Sequence, residues 1–224
     1  IAPTPQDLAN LTRTNTQDEL DYSDMMHHIF GWVTLGLAFW LAYLSSNLPY
    51  KERIQGIGPV LLTGSGLFLM LFSDWDSWPW DTRVPITDPE VLFHKVLATI
   101  MIFCGIGMNL ARKKESILQG TLQAKILAAL ALIGGGMLFT HVHTGAPYTD
   151  IAEGIYLQHF VVGCVALACG TAKTLEAHFP GGQKIWDRCW IVLLFVASAN
   201  LLWYKEGCPW YYDWLENQLS LYLR

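Results

Sequence analysis

The sequence predicts an all-α integral membrane bundle of six transmembrane helices, with both termini on the outer side. Three observations predict it. Hydrophobic residues make up 52% of the 224 and charged residues only 15%, where a soluble domain carries about 25% charged residues. Six apolar stretches come close to the roughly 20 residues that cross hydrocarbon. Positive charge gathers in alternate loops. Spans of this length must be helical, because lipid offers backbone N–H and C=O groups no partner.

In chain order the predicted spans are 27–46, 57–73, 91–111, 122–140, 153–173 and 185–204. The first opens on His27 and His28. The second, "IGPVLLTGSGLFLMLFS", is the shortest of the six. The third admits His94 and Lys95 about one turn from its start. The fourth is almost wholly apolar and leaves the membrane through "FTHVHTGAP". The fifth carries His159 about two turns in, and the sixth closes on "LLWY". Around one membrane domain (27–204) this leaves an external N-terminal segment (1–26) and an external aromatic C-terminal tail (205–224). No tandem repeat or low-complexity tract interrupts it.

The loops 47–56, 112–121 and 174–184, with their adjacent helix ends, carry a net charge of +5. The other side carries −10, and together they give the chain's −5. Lys and Arg favour the cytoplasmic side. This orientation puts both termini in the periplasm of a bacterial inner membrane. A chain that begins at Ile1 is what removal of a signal peptide would leave, and equally what a truncated start would leave.

The outer face is acidic and aromatic. "DWDSWPWDTRVP" joins the second and third spans, and "CPWYYDWLENQ" follows the sixth. Trp and Tyr settle at the membrane boundary and form an anchoring belt. The acids attract cations or a basic carrier protein. Expected partners are lipid, other membrane subunits and an external cytochrome or copper carrier. Nothing in the charge pattern suits nucleic acid.

Of seven histidines, His178 lies in the opposite, Lys-rich loop region. The other six are His27, His28, His94, His141, His143 and His159, from four helices, all at the outer level. Polar groups inside a membrane are costly and mark function. Imidazole is the commonest metal ligand and a usual axial ligand of haem. The candidate cofactor ligands are therefore His27, His94, His141 and His159. Gly31, Ala98 and Gly163 each lie four residues after a histidine and offer either flat space for a porphyrin or close contact between helices. The candidate metal set adds His28, His143, Met25 and Met26, because thioether with imidazole suits copper. Met137 lies one turn before His141, and Met70, Met101 and Met108 lie deeper in the spans. The sequence contains no Cys-x-x-Cys-His, so covalent haem is not expected. Cys104, Cys164, Cys169 and Cys189 lie in spans as small hydrophobes, and Cys208 is the one outer cysteine.

This layout resembles the copper resistance protein D family and the bis-histidine transmembrane b-type cytochromes. The likeness covers residues 25–175 and lies in the arrangement of helices, outer histidines and His-x-His. It implies haem b or copper at the outer side. Three functions follow. The leading one is a membrane electron-transfer subunit with one or two haem b groups near the outer face, exchanging electrons with an external donor and with quinone or a partner subunit. The second is a copper-handling membrane protein. The third is a pigment-binding or structural accessory subunit. The sequence lacks a phosphate loop and a Gly-x-Ser-x-Gly, and no catalytic residue is assigned.

The orientation has a direct test. With protease added outside, cleavage is expected near residue 80, with protection at residue 115. The reverse pattern overturns it.

Overall fold

Helices make up all the regular structure among the described residues, which are 17–113, 119–141, 150–179 and 183–205 of a computed structural model. They are α1 (Gln17–Ser45), α2 (Lys51–Ile54), α3 (Ile57–Phe72), α4 (Pro89–Lys113), α5 (Gln119–Leu138), α6 (Asp150–His178) and α7 (Gln183–Leu202). Five stretches are long and apolar enough to cross a membrane: Leu20–Ser45, Lys51–Phe72, Pro89–Ala111, Gly154–His178 and Ile185–Leu202. Leu122–Leu138 is apolar but shorter. These helices mark an integral membrane protein.

Two boundaries differ from the expected ones. The second apolar segment is not the shortest, because Gln55 and Gly56 both keep right-handed helical backbone. The chain therefore runs from α2 into α3 and reaches 22 residues; the fourth is the short one. Helix α1 begins ten residues before His27, inside the predicted external segment. Residues 17–30 hold no Gly or Pro to interrupt the helix.

The helices pack as a ring: α1 on α3, α3 on α4, α4 on α5, α5 on α6, α6 on α7, and α7 back on α1. Successive spans alternate in direction. Tyr204, just past the end of α7, stacks on His27 near the start of α1. At the other end, Ser45 closes α1 and donates a hydrogen bond to Asp187 near the start of α7.

Small residues set the spacing, as in other membrane bundles where close backbone approach replaces the hydrophobic effect. A Cβ at Gly105 would lie 2.7 Å from Thr63 N and 2.8 Å from the Pro59 carbonyl. One at Gly66 would lie 2.9 Å from the Ala98 carbonyl. Gly135 faces Ala166 and the backbone of α6 in the same way. Between α1 and α7, Ser198 is fully buried and donates to the Gly31 carbonyl at 3.0 Å.

Gly105→Val should push α3 and α4 apart and cost about 1–3 kcal/mol. Gly136 has open space where its Cβ would stand, so Gly136→Ala should leave stability unchanged or slightly raised. Thermal denaturation in detergent checks both.

Candidate metal-binding cavity

The site begins with the cap of α4. Asp88 Oδ1 accepts from the N–H of Glu90 at 3.0 Å and of Val91 at 3.5 Å, with Pro89 at the first helical position. Carboxylate caps and N-terminal proline both favour a helix start. The next turns then turn His94 and Lys95 toward the end of α3. Lys95 is 95% buried. It donates to the Met70 carbonyl at 3.0 Å and to Ser73 Oγ at 3.1 Å, and lies 3.3 Å from Asp74 Oδ2. One of the carbonyls that α3 leaves unsatisfied at its end is thus capped by an ammonium.

Asp74 joins the histidines to this node. Its Oδ1 accepts from His94 Nδ1 at 2.8 Å, and Ser73 Oγ donates to its Oδ2. Burial pushes the carboxyl's pKa up. The hydrogen bond and charge of His94, then Ser73 and Lys95, outweigh it and hold the value at about 2.

From His94 the imidazoles run in file. His94 and His141 have ring centroids 5.1 Å apart, His141 and His159 4.8 Å, and His159 and His27 5.6 Å. Tyr204 ends the file, stacked on His27 at 3.6 Å. Four elements contribute: α4, the segment after α5, α6 and α1. Three rings donate Nδ1–H to an oxygen: His94 to Asp74, His27 to the Ser23 carbonyl at 2.8 Å, and His159 to the Ile155 carbonyl at 2.8 Å. In the neutral ring this places the lone pair on Nε2. Metal-binding histidines are oriented in the same manner.

The four imidazoles line one cavity of 390 Å³ along the axis of the ring. Met26, Asp74, Asp76, Asp88 and Glu90 share its wall near the histidines, and Met101 and Met108 lie further in. Met26 is buried, whereas Met25 is 47% exposed. Met25 and His28 are not among the lining residues; His28 Nε2 instead donates to the Tyr204 carbonyl at 2.9 Å. Adjacent helical residues point about 100° apart, which separates each pair. His143 and Cys208 lie outside the described residues. Met70 and Met137 are not on the wall. Among the described residues, no three His, Cys, Asp or Glu side chains converge as a cage for one metal ion.

The small residues beside the histidines serve packing. A Cβ at Gly31 would lie 2.8 Å from Leu202, and one at Gly163 3.1 Å from the Gly135 carbonyl. Ala98 is fully buried and its carbonyl faces Gly66. Neighbouring rings stand at aromatic contact distances, and His141 touches both His94 and His159.

No protein-family model, curated protein or solved structure matches this chain.

Sequence reasoning missed Asp74, Lys95 and Tyr204 as parts of the site. Their signal was position alone: Asp74 and Tyr204 stand at the end of a span and Lys95 about one turn inside one, all at the level of the histidines.

Asp74→Asn would leave the Lys95 ammonium buried without its carboxylate. The expected cost is about 3–5 kcal/mol. Asp74→Asn with Lys95→Met should recover part of it, since an apolar side chain carries no unpaired charge. Unfolding midpoints of the two variants decide this.

Proposed function

We propose that the protein handles copper at the membrane, taking the ion from the acidic outer face into the bundle. The observation that carries this reading is the common cavity of four imidazoles and the Met26 thioether. Imidazole with thioether suits Cu(I), and imidazole also suits Cu(II). Asp76, Asp88 and Glu90 on the same wall supply a field that draws cations. The copper is cargo. A file of neighbouring rings gives an ion successive partial ligand sets, so it binds and moves on. Conduction needs sites that are favourable enough to enter and weak enough to leave. Asp74, Ser23 and Ile155 hold three of the rings in the tautomer that presents Nε2.

Haem b is supported less well by the same geometry. An iron and its macrocycle need a slot between two facing imidazoles. Here the rings of the file touch, and Gly31, Ala98 and Gly163 are filled by neighbouring helices. The outer position of this face rests on the distribution of Lys and Arg, which in this reading also puts both termini outside.

Purified protein in detergent, loaded with Cu(I) and stripped of loose ion, should retain copper by elemental analysis. His94→Ala, His159→Ala and Met26→Leu should each weaken binding about 10–100-fold. His28→Ala and His178→Ala should bind as the parent does. Sharp reduced-state b-type bands in the visible spectrum, with no retained copper, would replace this reading with haem.

A further inference from the structure

Beneath the histidine cavity lies a second one. It has a volume of 360 Å³ and sits at the Lys-rich end of the ring, lined by Ser45, Gln123, Lys173, Glu176 and Asp187. Four further residues, Trp40, Leu41, Met108 and Leu127, line both cavities. The two spaces thus meet at one apolar neck. We infer that they are the two chambers of a single conduit for the copper ion, and that Met108 is its gate. The inference rests on the copper reading of the upper chamber.

The walls of the neck differ in freedom. Trp40 is pinned: its Nε1 donates to the Ile54 carbonyl at 2.8 Å, and a Cβ at Gly58 would lie 2.4 Å from its ring. Met108 is only 2% exposed and plugs the neck from α4. Its side chain is unbranched and turns about three bonds, so it swings where the indole cannot. Its sulfur is the soft donor that a passing Cu(I) ion finds in an otherwise apolar constriction. Such a constriction stops water and hard ions by dewetting.

Beyond the neck the donors change. Lys173 is buried; it is ion-paired with Glu176 and lies 3.7 Å from Asp187, which also accepts from Ser45. Two carboxylates against one ammonium leave the chamber one negative charge. It admits a cation, but carboxylate oxygen holds a soft ion weakly. The order imidazole and thioether, thioether, carboxylate therefore runs from capture to release. The indole N–H of Trp190 marks a place for water or another acceptor beside the neck, not for the cation itself. Trp190 lines the upper chamber near the neck, is 4% exposed and lies beside Lys173, and its Nε1 has no acceptor among the described residues. Buried donors of this kind are completed by water or by a ligand.

The test uses the full chain in phosphatidylcholine–phosphatidylglycerol vesicles. Cu(I) is added outside, and an enclosed impermeant Cu(I) chelator reports its arrival. Met108→Leu conserves volume and removes the sulfur. It should lower uptake about tenfold or more. Met108→Cys should restore much of the rate. Leu127→Phe, which narrows the neck from α5, should also slow uptake and serves where Met108→Leu does not reconstitute. Parent-like uptake by Met108→Leu or by Leu127→Phe overturns the gate. A parent protein that retains copper but passes none overturns the conduit and leaves the copper reading intact. A parent protein that retains no copper overturns both.

Discussion

The histidine end of the molecule depends on one buried ammonium. Lys95 reaches from α4 to the end of α3 and gives its protons to the Met70 carbonyl and to Ser73, beside the Asp74 carboxylate. Taking a charge out of water costs several kcal/mol, recovered only with close partners. The geometry is therefore restrictive. Asp74 balances Lys95 through one oxygen and meets His94 through the other, and this positions the first ring of the file. The other rings follow by contact. A node of structural charge thereby orients the imidazoles of the cavity.

Closure of the ring sets the rest. Each span touches its chain neighbours, and α1 meets α7 through Gly31, Leu202 and Ser198. Glycine at the crossings brings backbones close, so side chains that point inward need not fill the axis. The space that remains is apolar for most of its length and polar at its ends. Under the proposed copper reading, that pattern offers a small ion discrete ligands in turn. It also accounts for the position of the methionines: Met26, Met101 and Met108 line the axial cavity at intervals, whereas Met25, Met70 and Met137 do not.

Much of this was legible in the sequence, and for identifiable reasons. Hydropathy marks spans because lipid penalises every unpaired polar group. The six apolar segments were therefore found near their true places, although the short one was misassigned. Gln55 and Gly56 look like a break, and glycine often is one. Here its backbone stays helical, which no composition reveals. The level of the histidines was legible as well, since alternation of direction assigns each helix end to a side.

What the sequence by itself determined is the all-helical membrane class, the grouping of His27, His94, His141 and His159 at one end, and the charge difference between the two ends. These are properties of order along the chain and of period within a helix. Only the tertiary structure decided which neighbour each side chain meets. It turned Met26 and His27 inward and Met25 and His28 away, joined Asp74 to His94 across twenty residues, and set Tyr204 on His27. It also assigned Gly31, Ala98 and Gly163 to helix contacts instead of a porphyrin slot. The reason is rotational: a helix repeats every 100° per residue, and the sequence fixes the relative angles of its side chains but not the face that its neighbours will claim.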